Sequence, residues 1–204
     1  MKLYLSSMEF GADPSKLAQM LGENKHAALI LNAADFYGDV GRAAWVKRMS
    51  DDLAELGITS EELDLRNYFG KKGLLGLHLE KFGLIWAAGG NTFILRSAMK
   101  ESGFDEALPH ILKHNTVVYG GFSAGACVVC PTLRGIELAD DPSEIPAGYP
   151  TDIVWDGLGL IDFHIVPHFE SDFDEIDEVV AYYEKNNMKF ITLRDGEILE
   201  GEGF

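Results

Sequence analysis

The sequence predicts an α/β fold, a three-layer sandwich around a mostly parallel sheet with an antiparallel edge hairpin. Apolar runs of strand length alternate with helical segments along the 204 residues. The strand candidates are continuously apolar, as is typical of strands that are covered on both faces. Near the end of the chain, Asp195-Gly196 is a dipeptide that favours hairpin turns. We expect a single domain over residues 1–204.

Strands and helices alternate through the first 115 residues. The strands are predicted from apolar or β-branched runs at residues 2–7, 26–32 and 82–90, with a shorter one within 60–65. The helices are predicted where apolar residues recur every three or four positions, at residues 15–24, 41–57, 91–103 and 105–115. Gly57 is placed to end the second helix, and Asn91 or Thr92 to cap the third.

The second half of the chain is less regular. The run at 116–121 predicts a strand, and Pro131 ends the short helix after Ser123 by residue 130. Residues 134–160 are rich in Pro, Gly and Asp and predict a long loop with room for one strand. The remaining elements are predicted as a strand at 161–169, a helix at 172–187 and a hairpin at 189–201.

The chain is strongly acidic, and the charge is concentrated in its last third. It has 33 acidic and 17 basic residues, and residues 136–204 hold 18 acidic but three basic ones. A surface of this charge repels phosphate backbones, so nucleic acid is a poor partner and we predict none. We expect the acidic stretch 170–185 to be the solvated face of a helix.

The sequence predicts neither a membrane span nor a signal peptide. The opening MKLYLSS has one Lys and an apolar run too short for a signal-peptide core. No apolar stretch reaches the length of about 18 residues that a spanning helix needs. We therefore expect a cytoplasmic protein with no membrane partner.

Two cysteines, Cys127 and Cys130, have the CxxC spacing. A redox motif needs a thioredoxin-like context and a zinc site needs a second ligand pair, and the sequence has neither. We expect both to be small buried residues on a helix. No metal site is predicted.

The segment GGFSAG places Ser123 between Gly121 and Gly125, directly after a strand and before a helix. This is the pattern of a nucleophile elbow, in which small neighbours let a serine adopt a strained backbone and expose its Oγ. The N–H of Ala124 would then face an oxyanion at the helix N-terminus. Taken alone, the pentapeptide also fits a turn whose serine merely caps the helix.

Two further features fall at the carboxyl ends of predicted strands, where α/β folds bind ligands. Gly89-Gly90 follows a buried strand and is suited to provide a second oxyanion N–H. Of the six histidines, His168 stands at the carboxyl end of a strand after Pro167, where a general base is needed. On an ideal strand, His164 would face the same side as His168.

The segments GGFSAGACVVCPTLR, AGGNTFILR and VPHF together resemble the peptidase E family, the S51 serine peptidases. Its type members are aspartyl dipeptidases, and its relatives include cyanophycin-degrading enzymes. The order and rough spacing of the motifs agree over most of the chain. The resemblance implies that Ser123 is the nucleophile, that His168 is the general base, and that the amides of Gly90 and Ala124 form the oxyanion hole.

The acid of the triad is less directly indicated. The resemblance implies a Ser-His-Glu/Asp triad whose acid comes late in the chain and precedes a Gly. Asp195 fits that place. The alternatives are the acids soon after the elbow, namely Glu137, Asp140 and Asp141. We prefer Asp195 because it lies in a tight turn next to a strand end rather than in a loose loop.

This chain departs from the family pattern in two places. The family's Gly-Gly-Gly-Asn begins here with Ala88, and the arginines expected after Pro-His-Phe to hold a substrate aspartate are missing from 170–184. By motif, Arg134 is the nearby cation left to bind a substrate carboxylate. We therefore expect peptidase chemistry on a short peptide without a cofactor, and poor activity on Asp-Xaa dipeptides.

Two other functions stay open from the sequence. One is another acyl hydrolase, such as a cyanophycin-type amide hydrolase. The other is a non-catalytic relative that binds a small ligand or peptide in the same crevice. The sequence leaves the substrate and the oligomeric state undetermined, with a homodimer as one option.

Overall fold

The computed structural model describes residues 1–71, 73–114 and 116–202. Within them the strands are β1 (Lys2–Ser6), β2 (His26–Ile30), β3 (Thr59–Glu62), β4 (Leu84–Ala87), β5 (Val118–Phe122), β6 (His164–Val166), β7 (Phe190–Thr192) and β8 (Ile198–Glu202). The helices are α1 (Ser15–Met20), α2 (Gly38–Glu55), α3 (Leu74–Leu79), α4 (Thr92–Ser102), α5 (Phe104–Leu112), α6 (Ala124–Cys127) and α7 (Glu175–Lys185). Short 3-10 turns lie at Asn32–Tyr37, Leu65–Tyr68 and Ile136–Leu138.

Six strands form one sheet in the order β3-β2-β4-β5-β1-β8. The first five are parallel, and β8 pairs antiparallel with β1 at the edge. Alternate residues of these strands enter two separate cores, as the pleat requires. Leu3 and Ile85 pack under α3, α4 and α5, whereas Tyr4 and Trp86 pack under α1 and α2. The predicted α/β sandwich around a mostly parallel sheet is therefore confirmed.

The edge hairpin predicted at 189–201 is wrong, although its turn is present. Glu197 N donates to Arg194 O at 2.8 Å, and Gly196 has a φ of 93° that favours glycine. The strands on either side of the turn separate, because β7 pairs in parallel with β6 while β8 pairs with β1. The edge of the main sheet is thus a single antiparallel strand. Turn residues specify a local reversal, but the partners of each strand are chosen by long-range packing.

Two strand predictions in the second half need correction. The strand predicted at 161–169 is limited to β6, and His168 lies beyond it with a φ of 59°. The expectation that His164 and His168 face the same side, which assumed one continuous strand, therefore does not apply. The loop 134–160 contains no strand among its residues, all of which are described; an isolated bridge instead joins Thr132 to Asp156.

Two helices have bounds that differ from the predicted ones, and one helix has no counterpart among the predictions. Helix α2 begins at Gly38 rather than at 41, and α1 ends at Met20. The last residue of the helix predicted at 105–115 lies outside the described residues. Helix α3 was not predicted because it has only six residues and exposes Leu74 and Leu77 (62% and 71%), which blurs its apolar pattern.

A third, smaller core holds β6 and α7 against the rest of the fold. Its buried side chains are Phe93, Cys127, Leu133, Ile136, Val166, Ile176, Val179 and Tyr183. This core fixes the end of β6 beside the end of β5. None of the helices in the described part of the chain is both long and apolar enough to cross a membrane.

Candidate active site

Ser123 occupies a strained turn between β5 and α6. Its φ is 50° and its ψ is −114°, in a region that non-glycine residues rarely adopt. Gly121 and Gly125 make the turn possible. A Cβ on Gly121 would lie 2.7 Å from the Gly125 carbonyl oxygen, and a Cβ on Gly125 would collide with the Ala87 carbonyl. The two glycines therefore let the chain reverse within one residue, as the elbow pattern predicts.

His168 lies between Ser123 and Asp195. Its Nε2 is 3.0 Å from Ser123 Oγ, and its Nδ1 is 2.8 Å from Asp195 Oδ1. In the neutral Nδ1–H tautomer the ring donates to Asp195 and accepts from the Ser123 hydroxyl. The His168 side chain is 13% exposed, whereas that of Asp195 is 40% exposed. The structure brings together the three residues that the sequence singled out, in the geometry that a triad needs.

The alternative acids have other partners. Glu137 accepts a hydrogen bond from Gly135 N, and Asp141 accepts from the N–H and the hydroxyl of Ser143. Asp140 Oδ2 accepts from Thr92 N at 2.8 Å and so caps helix α4. Asp195 is therefore the acid that faces His168.

Ser7, which follows β1, is a contact of this site that the sequence did not indicate. It is fully buried, and its Oγ donates to Asp195 Oδ1 at 2.8 Å. The same Oγ accepts from His168 N at 2.7 Å. One hydroxyl thus holds both the acid and the backbone of the histidine. A serine at a strand end gives no signal of this role, since it depends on β1 lying beside β5.

Gly89 and Gly90 form a tight turn beside Ser123. A Cβ on Gly89 would lie 3.2 Å from Ser123 Cβ, and a Cβ on Gly90 would lie 2.6 Å from the Ala33 carbonyl carbon. Gly90 has a φ of 131°, a value accessible mainly to glycine. Within the described residues, neither Gly90 N nor Ala124 N has a hydrogen-bond acceptor. Both amides thus lack a partner among the described residues, which is what an oxyanion hole requires of its donors.

An open crevice of ≈ 490 Å³ surrounds Ser123 and His168. Aromatic side chains line it, namely Phe36, Tyr37, Trp45, Phe122 and Phe173. Asp140, Asp141 and Glu144 supply negative charge, and no Lys or Arg lines the crevice among the residues that the structure describes. The crevice is thus suited to uncharged or cationic groups.

Arg134, which the motif offered, and Arg194, which precedes Asp195, are both engaged in other contacts. The Arg134 guanidinium stacks on the Trp155 ring at 3.7 Å from its centroid. Arg194 Nε donates to Glu170 Oε2 at 2.7 Å. Neither is among the residues that line the crevice. The candidate that the motif offered for binding a substrate carboxylate, Arg134, is therefore not positioned to do so.

Both cysteines are buried and free, as expected, but the helix predicted to carry both ends at Cys127, so Cys130 lies beyond it. Burial raises the pKa of the Cys130 thiol to about 12 and that of Cys127 well above its usual range. Neither thiol can supply a thiolate near neutral pH. The described residues contain no group of three or more His, Cys, Asp or Glu arranged to hold a metal ion.

Comparison with known proteins gives a consistent result. The sequence model of peptidase family S51 matches residues 7–203. The uncharacterized peptidase Lin0382 of Listeria innocua is 30% identical over 173 residues, which cover 80% of this chain and 76% of that protein. Peptidase E of Salmonella arizonae is 36% identical over 97 residues, which cover 48% and 38% of the two chains. A crystal structure of a putative peptidase E protein from Listeria monocytogenes superposes with a TM-score of 0.70 and 25% identity, covering 100% of this chain and 98% of that one.

Proposed function

The chain belongs to peptidase family S51 and is a serine peptidase, and we propose that it cleaves short peptides by acyl transfer through Ser123, His168 and Asp195. The observation that carries this proposal is the run of contacts from Asp195 through His168 to Ser123 Oγ, at 2.8 Å and 3.0 Å. Nucleophile, base and orienting acid stand in the order that this chemistry requires.

In the first half of the reaction, His168 Nε2 takes the hydroxyl proton while Ser123 Oγ attacks the carbonyl carbon of the scissile amide. The carbonyl oxygen becomes an oxyanion and accepts hydrogen bonds from Gly90 N and Ala124 N. His168 then gives its proton to the leaving nitrogen, and the C–N bond breaks. Asp195 stabilises the imidazolium that exists between these steps.

In the second half, water releases the acyl group. His168 takes a proton from the water, whose oxygen attacks the ester carbon, and the same two amides hold the oxyanion. The proton then returns to Ser123 Oγ as the ester bond breaks. The products are a carboxylic acid and the free enzyme, and every step uses groups of this chain and water.

A relative that only binds a ligand would not need this backbone geometry. Ser123 and His168 both have positive φ values, 50° and 59°, and neither is glycine. Such strain costs about 1–3 kcal/mol at each residue and persists where the surrounding structure enforces it. Each of the two strained residues contributes one atom to the 3.0 Å contact between Oγ and Nε2, which supports catalysis over binding alone.

The proposal is tested with Ser123→Ala, measured by hydrolysis of a dipeptide library and by labelling with a fluorophosphonate. We expect labelling to disappear and turnover to fall at least about 10³-fold, as in other triads. Ser60→Ala is the matched control, because Ser60 lies on the edge strand β3 and contacts Ser50 instead. Hydrolysis retained in Ser123→Ala would exclude the proposed mechanism.

A further inference from the structure

A second, more enclosed cavity adjoins the nucleophile and the open crevice. Its volume is ≈ 60 Å³, and Ser123, Asp140 and His168 line both spaces. The cavity lies within the small core under α7, so its position is fixed by packed side chains rather than by a loop alone. A substrate bonded to Ser123 Oγ would therefore have this cavity within reach.

The walls of the cavity are mostly apolar. Cys127 of α6, Val166 of β6, and Ile176 and Val179 of α7 line it. Each of these side chains is at most 8% exposed. Apolar groups placed there would leave water and contact these apolar walls, which favours their binding.

We propose that this cavity receives the side chain of the residue whose carbonyl carbon is attacked, and that it selects small or medium uncharged side chains and rejects acidic ones. This inference rests on the proposed function. The leaving group must depart before water attacks, so it belongs on the open side of Ser123. The acyl side chain stays until the ester is hydrolysed, so it belongs in the enclosed cavity.

The size of the cavity limits which side chains fit. A water-sized group needs about 10–15 Å³ of such space. The volume of ≈ 60 Å³ therefore admits about four to six non-hydrogen atoms. Val, Leu, Met, Asn and Asp fit by this measure, whereas Phe, Tyr and Arg are too large.

Charge then separates Asp from the others. No Lys or Arg lines the cavity within the described residues, and Asp140 contributes a carboxylate to its wall. Burial raises the pKa of Asp140, although the hydrogen bond from Thr92 and the proximity of His168 act in the opposite direction. Water therefore solvates this carboxylate poorly, and a second negative charge beside it would be weakly screened. A substrate aspartate would meet repulsion without a compensating cation.

The test measures kcat/KM at pH 8 on dipeptides of the form Xaa-Leu, with Met, Val, Ala, Asn, Asp, Phe and Lys as the first residue. We expect Met or Val to exceed Ala by about tenfold, since a methylene group in an apolar pocket contributes at least that much selectivity. Asn and Asp have the same shape, so their ratio isolates the charge. We expect Asn-Leu to exceed Asp-Leu by at least about tenfold, because like charges in contact cost several kcal/mol.

Two variants connect the selectivity with this cavity. Asp140→Asn keeps an oxygen that can accept from Thr92 N, and should bring the Asn/Asp ratio towards one. Asp141→Asn is the control, because Asp141 lines the crevice and not the cavity, and should leave that ratio unchanged. Val179→Leu reduces the volume, and should lower the Met/Ala ratio at least about threefold. Fluorophosphonate labelling of each variant shows that its active site is folded.

The outcomes distinguish this inference from the proposed function. Asp-Leu cleaved as well as or better than Asn-Leu would overturn the inference and leave the peptidase mechanism standing. Phe-Leu as the preferred substrate would do the same for the size limit, and Lys-Leu for the preference for uncharged side chains. Cleavage of no dipeptide, together with no labelling of Ser123, would contradict both.

Discussion

Ser7 Oγ donates a hydrogen bond to Asp195 Oδ1 at 2.8 Å, across 188 residues of sequence. The same carboxylate oxygen faces His168 Nδ1, also at 2.8 Å. A single buried hydroxyl therefore helps to hold the acid against the histidine. The side chain of Asp195 is 40% exposed, and the turn that carries it is also held by the backbone hydrogen bonds Ser7 N to Glu197 O and Ala12 N to Gly196 O.

Replacing Ser7 should lower kcat more than it changes KM. In Ser7→Ala, Asp195 loses a donor and the N–H of His168 loses its acceptor, so the ring is held less accurately. We expect kcat to fall about 10- to 100-fold, the loss typical of a small misplacement of reacting groups. The control is Ser6→Ala, because Ser6 is equally buried but its hydroxyl contacts Glu9 O. Equal effects of the two variants, or a change confined to KM, would contradict a positioning role.

Asp195→Asn should impair the reaction severely while leaving the fold intact. An amide cannot stabilise the imidazolium and can favour the wrong tautomer of His168, and the comparable change in another triad lowers kcat about 10⁴-fold. Glu197→Gln provides a control in the same turn, where Glu197 Oε2 accepts from Arg194 N. Steady-state kinetics and circular dichroism of both variants provide the measurement. Near-normal turnover in Asp195→Asn would indicate that the acid of the triad is Glu137, Asp140 or Asp141 instead.

Gly90→Ala should reduce both activity and stability. A Cβ at this position meets the Ala33 carbonyl carbon at 2.6 Å, and a φ of 131° is strained for alanine. The turn must shift, which moves Gly90 N away from the oxyanion and lowers the free energy of unfolding by more than about 1 kcal/mol. Gly22→Ala is the control, since nothing lies within 4 Å of a Cβ there. The free energy of unfolding, measured with denaturant, and kcat should both change in Gly90→Ala and stay the same in Gly22→Ala. An unchanged kcat in Gly90→Ala would argue against Gly90 as an oxyanion donor.

The two thiols should be unreactive in the folded protein. Burial raises the pKa of Cys130 to about 12 and that of Cys127 well above its usual range, so thiolate is scarce at pH 8. A chromogenic disulfide reagent should therefore modify neither Cys127 nor Cys130 until denaturant is added, after which both react. Modification of the native protein at the rate of a free thiol would show that the segment carrying these two cysteines opens.

The sequence by itself determined the local chemistry of this protein. Continuous apolar strands predicted the covered sheet, because every strand buried on both faces must be apolar. The glycines around Ser123 predicted a strained elbow, because a chain that reverses within one residue has no room for Cβ atoms. Asp195 was preferred from its tight turn, and the structure places it against His168. Each of these properties depends on a few neighbouring residues.

The tertiary structure decided what the local sequence could not. Residues 189–201 contain the residues of a hairpin turn, yet β7 and β8 join different sheets, because each strand gains more pairing from a distant partner. Ser7 carries no signal of its contacts with His168 and Asp195, which exist because β1 lies beside β5. The cavity beside Ser123 is built from α6, β6 and α7, which only packing brings together. Residues distant in the sequence meet only when the sheet and its helices have assembled.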